Sequence, residues 1–432
     1  MRVGIYTLGC KVNQYETQAM EQELLRRGHE LVSFESVADA YIVNTCSVTA
    51  VSDKKSRQML RRCRRLNSEA VVAACGCYVQ THADEAATLD VDIVAGTNDH
   101  IKFLNLVEQA AEEKRRYTLL DDALRRRQFE VLAPGGQEGR TRAMLKVEDG
   151  CVNFCSYCII PYARGPIRSL PMAEAKRQLL QLQSEGYREV VITGIEICGY
   201  GKDLKDDTVI VDLVEMAAQT VPEMRIRLGS LEPRTVTEEF CRRLAPYRNL
   251  CPQFHLSLQS GSDETLKRMN RKYDTARFME SVRLLRNHFE NVAITTDLIT
   301  GFPQETEEEF CETLAFIRAV NFADMHIFPY SIRPGTPAAG MEQIEKSVKE
   351  DRAARAAAVA AEMHREYLLS CVGQRFEVLF EQEKNGRFLG HAPNYMPVSV
   401  EGTDLHNKVL AVEITGLHGD GLSGIIVEGA NA

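Results

Sequence analysis

No apolar run in this sequence approaches the roughly 20 residues that a membrane-spanning helix needs. The N-terminal segment, MRVGIYTLGC, also lacks the basic region and the long apolar region of a secretory signal. Neither an internal repeat nor a low-complexity tract is present, and a hydrophobic content of 44% is ordinary for a globular protein. We therefore expect a cytoplasmic protein with no membrane partner.

An excess of positive charge is also missing. The chain has 52 Lys and Arg against 61 Asp and Glu, a net charge of −9. Proteins that bind nucleic acids gain affinity by neutralising phosphates, so the acidic total weighs against such a partner unless a local basic patch exists. One predicted helix carries a run of arginines, although such runs are usually solvated faces: Arg57, Arg61, Arg62, Arg64 and Arg65.

Cysteine, in contrast, is abundant, with 13 residues. Disulfides are disfavoured in the cytosol, so clustered cysteines in a chain of this expected location indicate a metal site or catalysis.

The pattern of apolar and polar residues predicts an α/β protein with three domains. Residues 1–105 alternate short apolar runs with amphipathic segments, which is typical of a parallel sheet covered on both faces. The predicted strands are Val3–Leu8, Tyr41–Asn44, Val71–Ala74 and Val91–Ala95, and the predicted helices include Thr17–Arg27 and Asp53–Arg65.

A charged stretch at 106–141 is interpreted as a linker because it ends in a segment rich in Gly and Pro. Residues 142–370 then resume the alternation, which predicts a partial or full βα barrel with its site at the carboxyl ends of the strands. Its predicted strands are Ala143–Val147, Glu189–Thr193, Arg225–Gly229, Phe254–Leu258, Ile294–Ile299 and Met325–Phe328. Short β-like runs in 371–432 predict a small β-barrel.

The strongest local motif is CVNFCSYC, which contains Cys151, Cys155 and Cys158 and follows the first predicted barrel strand. Three thiolates in one loop can each hold one iron of a cubane cluster, which leaves the fourth iron open to a substrate or cofactor. A structural zinc site with a fourth ligand from elsewhere is the alternative.

Three further cysteines follow predicted strands of the first domain: Cys10, Cys46 and Cys77. Open α/β sheets gather their sites at the carboxyl ends of strands, although a single cysteine there is usually part of the core. Cys75 competes with Cys77 for this position. The remaining cysteines match no motif and are interpreted as structural: Cys63, Cys198, Cys241, Cys251, Cys311 and Cys371.

CVNFCSYC resembles the signature of the radical S-adenosylmethionine (SAM) superfamily. The elements TLGCKVNQYET, NTCSVT and GCYVQ, followed by a barrel and a small β-barrel of the TRAM type, resemble the methylthiotransferases over nearly the whole chain. This resemblance implies two [4Fe–4S] clusters and SAM as cofactors. It assigns Cys151, Cys155 and Cys158 to the SAM-binding cluster. It assigns Cys10, Cys46 and Cys77 to an auxiliary cluster, with Gly76-Cys77 matching the family's Gly-Cys pair.

Under the same resemblance, residues at the barrel's strand ends are candidates for binding SAM: Glu196, Glu232, Gln259, Ser260, Arg271 and Asp297. Glu196 stands where the family mostly has His or Asn, so a SAM contact and a solvated position at the barrel mouth both stay open. Helix capping is the alternative role for Ser260. The planar guanidinium of Arg271, like that of Arg268, suits a carboxylate or a phosphate.

Four residues are candidates for contact with RNA. Arg164 and Arg168 follow the cluster loop, where they are placed to meet phosphates or the modified base. Phe388 and Tyr395 lie in the predicted small barrel, and barrels that bind RNA stack bases on aromatic side chains. A protein-docking role for this barrel is the alternative.

The resemblance finally implies a reaction. A methylthio group is added to C2 of N6-threonylcarbamoyladenosine at position 37, in the tRNA anticodon loop. SAM serves as methyl donor and radical source, and an external donor supplies electrons. The same chemistry on isopentenyladenosine or on a ribosomal-protein aspartate is one alternative, and a non-catalytic RNA-binding protein with structural zinc is another.

Overall fold

A computed structural model describes residues 1–135 and 139–427 of the chain. Within these ranges, every helix is too short or too polar to cross a membrane. The described residues form three packed parts: a parallel α/β sheet, an open βα barrel and a closed β-barrel. The predicted fold class is therefore confirmed.

The N-terminal part is a six-stranded parallel sheet with helices on both faces. Its elements are β1 (Arg2–Thr7), α1 (Lys11–Arg26), β2 (Glu30–Val32), β3 (Ala40–Thr45), α2 (Ala50–Leu66), β4 (Val71–Gly76), α3 (Cys77–Thr81), α4 (Ala83–Ala87), β5 (Ile93–Ala95), α5 (His100–Glu113) and β6 (Tyr117–Leu119). The strand order is β2-β1-β3-β4-β5-β6. Every residue of β3 and β4 is buried, as expected for central strands covered on both faces.

Part of the predicted linker belongs to this sheet. Tyr117–Leu119 pairs in parallel with Ile93–Ala95 and forms the edge strand β6. Further along, the carbonyl of Leu132 accepts a hydrogen bond of 2.8 Å from Tyr15 Oη on α1. The sequence gives little sign of either contact, because a three-residue edge strand is too short to show a period.

The central part is an open barrel of six parallel strands with helices outside. Its elements are β7 (Arg142–Lys146), β8 (Glu148–Asp149), α6 (Ile160–Arg164), β9 (Arg168–Ser169), α7 (Met172–Ser184), β10 (Glu189–Thr193), α8 (Ile210–Thr220), β11 (Arg225–Leu228), α9 (Glu238–Leu244), β12 (Gln253–His255), α10 (Asp263–Arg268), α11 (Thr275–His288), β13 (Ala293–Thr300), α12 (Glu307–Val320), β14 (Asp324–Pro329) and α13 (Lys346–Ser370). Strands β7, β10 and β11 form one sheet and β12, β13 and β14 another. A bridge between Leu231 and Leu256 connects the two sheets.

The C-terminal part is a closed five-stranded barrel in the order β15-β16-β17-β19-β18. Its strands are β15 (Arg375–Lys384), β16 (Arg387–His391), β17 (Pro397–Val400), β18 (Val409–His418) and β19 (Gly421–Ile426). Closure leaves no unpaired sheet edge, which a small β domain otherwise exposes. Its apolar core includes Phe380, Phe388 and Val398.

Two arginines of β11 fasten the small barrel to the central part. Arg227 donates to the carbonyl of Pro393 at 2.9 Å, and Arg225 donates to the carbonyl of His391 at 3.2 Å. Both guanidinium groups are paired with the buried carboxylate of Glu189, at 2.8 and 2.7 Å. Burial of Glu189 opposes its ionisation, but the charges of Arg227 and Arg225 together outweigh burial and lower its pKa to about 2.

Because this pKa is lowered on folding, Glu189 stabilises the fold above about pH 4.5 and loses that effect as the pH falls towards 2. Glu189→Gln should destabilise the metal-free protein by about 3 kcal/mol at pH 7, since two buried arginines lose their counter-charge. The difference in unfolding temperature between wild type and variant should shrink as the pH falls from 7 to 3.

Thermal unfolding followed by circular dichroism measures this difference. Glu401→Gln is the matched control, because the Glu401 side chain is 86% exposed in its pair with Arg387. An equal loss of unfolding temperature at both pH values would contradict the assignment of Glu189 as an ionised structural group.

Candidate active site

Three cysteines lie at the carboxyl ends of three neighbouring strands. Cys10 follows β1, Cys46 follows β3 and Cys77 follows β4, and these strands are adjacent in the sheet. The strand order reverses between β1 and β3, which is the position where open α/β sheets bind ligands. The fold therefore collects all three sequence-predicted auxiliary ligands at one edge.

Two glycines allow these cysteine loops to approach each other. A Cβ on Gly9, which has φ +107°, would lie 3.0 Å from Cys46 Sγ. A Cβ on Gly76, which has φ +97°, would lie 2.5 Å from the carbonyl oxygen of Thr45. A side chain at either position would therefore push the loops apart.

Backbone and side-chain donors point at the sulfur atoms. The amide of Val48 donates to Cys46 Sγ at 3.5 Å, and Arg164 Nε donates to Cys77 Sγ at 3.4 Å. Burial raises the pKa of the Cys77 thiol to about 12, although Arg164 acts to lower it. Thiols coordinate metals as thiolates, and N–H donors stabilise the thiolate, so this donor set fits an iron–sulfur cluster.

Cys75 lies apart from this edge. It is buried in the apolar layer beneath α1 and α5, with Val3, Ala73 and Leu104. Burial raises its pKa, as expected for an inert core thiol. The structure therefore favours Cys77 over Cys75 as the residue facing the other two cysteines.

Cys151, Cys155 and Cys158 lie in the loop between β8 and α6. Arg271 Nη1 donates to Cys155 Sγ at 3.1 Å, and the amide of Asn153 donates to Cys151 Sγ at 3.5 Å. The loop is anchored to the end of α10 through Ser156, which donates to the carbonyls of Met269 and Arg268. The arrangement holds three thiols on one rigid loop with donors on two of them, which again fits a cluster.

Two carboxyl groups converge behind this loop. Asn153 Nδ2 donates to Glu196 Oε2 at 3.2 Å, and the amide of Glu196 donates to Glu148 Oε2 at 2.7 Å. The Oε1 atoms of Glu148 and Glu196 are buried, and neither has a partner among the described residues. Burial raises the pKa of both carboxyl groups. Glu196 is therefore not a solvated group at the barrel mouth, and its free oxygen can accept a hydrogen bond from a ligand.

The other predicted SAM-binding residues differ in whether their side chains lie near the barrel interior. Asp297 faces the barrel interior, where His255 Nε2 lies 3.3 Å from its Oδ2 atom. Glu232 is held by a two-point contact with Arg234 and also lies near the mouth. Ser260 instead contacts Thr313 of α12 at 3.3 Å and caps the amide of Ser262, so its hydroxyl faces away from the interior.

Gln259, beside Ser260, adopts φ +69° and pairs with β13 through its backbone. Cys198, which the sequence analysis treats as structural, lies at the mouth, where its Sγ accepts from the amide of Glu232 at 3.1 Å. Arg268 is paired with Glu309, so its guanidinium group is already occupied by a carboxylate of the chain.

Arg164 and Arg168 are not placed to meet RNA, unlike the sequence-based expectation. Both side chains are at most 1% exposed. Arg164 Nη2 donates to Glu16 Oε2 at 3.0 Å and to Asn13 Oδ1 at 2.9 Å. Arg168 donates to the carbonyls of Arg164 and Pro166. Arg164 is held by Glu16 and Asn13 of α1, and no local sequence pattern shows this contact between distant segments.

The two arginines belong to a buried ion network between the N-terminal and central parts. Lys146 Nζ lies 2.9 Å from Glu16 and 2.7 Å from Asp149, and Arg168 lies 3.2 Å from Asp149. Burial of Glu16 opposes ionisation, but Arg164 and Lys146 lower its pKa to about 2. His100 lies 3.8 Å from Glu16 and is itself paired with Glu130, so the network extends to a third carboxylate. Arg164 connects this network to Cys77 Sγ.

Phe388 and Tyr395, the two residues proposed to stack on RNA bases, differ in their surroundings. Phe388 is 5% exposed in the core of the small barrel, so it offers no stacking surface. Tyr395 is half-buried, stacks on His391 with ring centres 4.9 Å apart and lies 4.5 Å below the Arg227 guanidinium. Tyr395 alone of the two faces a cavity.

That cavity, of about 600 Å³, is lined by all three parts of the protein, and we call it the three-part cavity. The N-terminal part contributes Gly9–Val12 and the C-terminal barrel contributes Tyr395. The central part contributes residues along its strands and the loops after them, including Ser230, His255, Asp297, His326 and Phe328.

A second cavity of about 230 Å³ adjoins the first, because Asp297 and Phe328 line both. It lies against Cys158 of the cluster loop and against Val48, two residues after Cys46. We call it the cluster-loop cavity. The two cavities together connect the two cysteine sets.

Within 1–135 and 139–427, no three His, Cys, Asp or Glu side chains converge closely enough to ligate a single metal ion. A cubane cluster differs from a single ion because its thiolates bind separate iron atoms at different corners.

Comparisons with known proteins agree with this architecture. Residues 145–317 match the family described as the Radical SAM superfamily, and residues 2–96 match Uncharacterized protein family UPF0004. Threonylcarbamoyladenosine tRNA methylthiotransferase MtaB of Bacillus subtilis (strain 168) is 41% identical over 95% of this chain and 93% of its own length. The tRNA-2-methylthio-N(6)-dimethylallyladenosine synthase of Clostridium tetani (strain Massachusetts / E88) is 32% identical over 81% of this chain and 78% of its own.

A solved structure is similar in fold. The radical S-adenosylmethionine methyltransferase TsrM of Kitasatospora setae, with cobalamin and a [4Fe–4S] cluster bound, has a TM-score of 0.57 at 15% identity. The match covers 90% of this chain and 80% of that one.

The fold, the cysteine loop and the matches to known families together define a radical SAM protein. The chain belongs to the radical SAM methylthiotransferase family. It is an enzyme of that class, and this membership implies a [4Fe–4S] cluster and SAM as cofactors.

The positions of Cys75 and Cys77 lead to a direct test. After anaerobic reconstitution, we expect about eight iron atoms per wild-type chain, as two cubane clusters require. Cys77→Ser should lose about half of this iron, whereas Cys75→Ser should retain it, because Cys75 lies in the core layer. Colorimetric iron and acid-labile sulfide determinations measure both. Equal losses in the two variants would contradict the assignment, and zinc in place of iron would contradict the clusters themselves.

Proposed function

We propose that this enzyme adds a methylthio group to C2 of N6-threonylcarbamoyladenosine at position 37 of tRNA. The observation that carries the proposal is the three-part cavity, which adjoins an N-terminal cysteine loop and the barrel's strand ends. The printed activity of the Bacillus subtilis relative supports the choice of nucleoside, as its identity to this chain is 41%.

The donor geometry above supports the cofactor assignments that the family resemblance implies. Cys151, Cys155 and Cys158 would hold the SAM-binding [4Fe–4S] cluster, and Cys10, Cys46 and Cys77 would hold an auxiliary one. When bound, these groups would supply an electron from an external donor, the radical and methyl-transfer chemistry of SAM, and a binding place for the transferred sulfur.

The chain's own residues bind and orient the reactants. The buried free oxygen of Glu196 suits the ammonium group of SAM, because it is a carboxylate oxygen without a partner in the described chain. Asp297 faces both cavities, where its carboxylate suits a ribose hydroxyl or an adenine amine. Arg271 fixes the cluster loop through Cys155 rather than binding a ligand directly.

Phe328 provides an exposed aromatic surface on the three-part cavity, so an adenine ring extruded from an RNA loop can stack there. Tyr395 lines the same cavity, but its ring already packs against His391 and Arg227. Unstacking a base costs least in a single-stranded loop, which favours the anticodon loop as the substrate region.

A basic face for RNA phosphates lies on α2, which begins two residues after Val48 at the cluster-loop cavity. Lys54, Arg57, Arg61 and Arg65 share one side of this helix around a shallow depression. These residues replace Arg164 and Arg168 as the candidates for phosphate contact. We place the reaction in the cytoplasm, where tRNA is modified.

Incubation of the reconstituted enzyme with SAM, a reductant and tRNA bearing threonylcarbamoyladenosine tests the proposal. Mass spectrometry of digested nucleosides should show the 2-methylthio derivative, and Cys155→Ala should abolish it. Cys311→Ala is the matched control, because Cys311 is exposed on α12 away from both cavities. Methylthiolation of tRNA bearing isopentenyladenosine instead would overturn the choice of substrate while retaining the reaction.

A further inference from the structure

Lys11 is a charged residue of the three-part cavity to which the reaction outlined above gives no role. It is the first residue of α1 and directly follows Cys10, so it lies beside the auxiliary cysteines. Its side chain is exposed to the cavity. In the part of the chain that the structure describes, its ammonium group has no hydrogen bond or ion pair.

The other charged residues of this lining already have partners. Arg227 is paired with Glu189 at 2.8 Å, and Asp297 is paired with His255 at 3.3 Å. Asp324 accepts from the amide of Met325 at 2.8 Å. A ligand carboxylate entering the cavity would therefore meet Lys11 as its available cation.

The start of α1 adds a second attraction for an anion. Cys10 occupies the N-cap position, and no side chain accepts a hydrogen bond from the first turn. Amides left free at a helix N-terminus, together with the helix dipole, favour negative charge. Lys11 and these amides face the same cavity, which Val12 also lines.

The chemistry of threonylcarbamoyladenosine explains why a carboxylate would lie near Lys11. On adenine, C2 and the N6 substituent flank the same N1 edge, so the threonylcarbamoyl arm extends beside the carbon that receives sulfur. A cation one residue from Cys10 lies where the arm's carboxylate would be when C2 faces the auxiliary cysteines.

We propose that Lys11 binds the carboxylate of the threonylcarbamoyl group and thereby selects this adenosine derivative over those with an apolar N6 substituent. The inference rests on the proposed function, because it assumes that threonylcarbamoyladenosine is the substrate. An ammonium paired with a carboxylate in a partly enclosed site contributes more to binding than a solvated surface pair does.

The test removes the positive charge of Lys11 from the protein and the negative charge of the threonine carboxylate from the RNA, and compares the effects on binding. Two anticodon stem-loop RNAs are used, one with threonylcarbamoyladenosine and one with the methyl ester of its threonine carboxylate. Binding to the reconstituted full-length enzyme with SAM, without reductant, is followed by fluorescence anisotropy. Wild type should bind the ester about tenfold more weakly, and Lys11→Gln should bind both RNAs equally.

Two further variants keep the test independent of folding. Lys11→Arg should retain most of the discrimination, because it keeps the positive charge. Lys346→Gln is the matched control, since the Lys346 side chain is 87% exposed on α13. Iron content, measured for each variant, should equal that of wild type.

The two proposals fail in different ways. If wild type modifies threonylcarbamoyladenosine but Lys11→Gln still binds the ester about tenfold more weakly, the assignment of Lys11 is wrong and the function stands. If wild type binds the threonylcarbamoyl RNA no better than RNA with unmodified adenosine and does not modify it, the proposed function is wrong and the assignment falls with it.

Discussion

The contact between Arg164 and Glu16 determines how the two cysteine sets face each other. Glu16 belongs to the helix that starts at Cys10, and Arg164 belongs to the helix that follows the Cys151–Cys158 loop. The same guanidinium reaches Cys77 Sγ at 3.4 Å. One fully buried side chain thus connects Cys77, helix α1 and the helix that follows the Cys151–Cys158 loop.

Energetics explain why this link is rigid. Burying charges is costly, and the cost is recovered only when every charge is paired in good geometry. Here Glu16 and Asp149 are paired with Lys146, Arg164 and Arg168, and His100 lies between Glu16 and Glu130. Removing either Arg164 or Glu16 would leave a buried ion without its partner, so the domains have little freedom to shift.

A second contact fastens the other side of the N-terminal part. Arg333, which follows β14, bonds Asp53 of α2 and the carbonyl of Ser47, next to Cys46. The three-part cavity lies between these two fastenings and is closed at one end by Tyr395 of the small barrel. The position of the cavity is therefore a consequence of buried ion pairs more than of apolar packing between domains.

Much of this architecture could be predicted from the sequence, because strand periods and cysteine motifs are local. The predicted strand Glu189–Thr193 has its observed bounds, most others differ by one or two residues at their ends, and Phe254–Leu258 ends three residues beyond the observed β12. Ser260, Arg164, Arg168 and Phe388 were assigned to ligand contact, but their side chains point into packed interfaces, which no local pattern records. Lys11, Asn13 and Glu16 were overlooked although they stand in the TLGCKVNQYET motif, because their partners lie more than 100 residues away or in a cavity.

The most direct test of this account is the magnetic interaction between the two reduced clusters, measured by electron paramagnetic resonance. Wild-type enzyme with full iron content should show spin coupling between the clusters, because the buried network holds the two cysteine sets beside adjoining cavities. Glu16→Gln with full iron content should show weaker coupling, since Arg164 loses its charged partner. Two non-interacting signals in the wild type, or unchanged coupling in Glu16→Gln, would contradict the account.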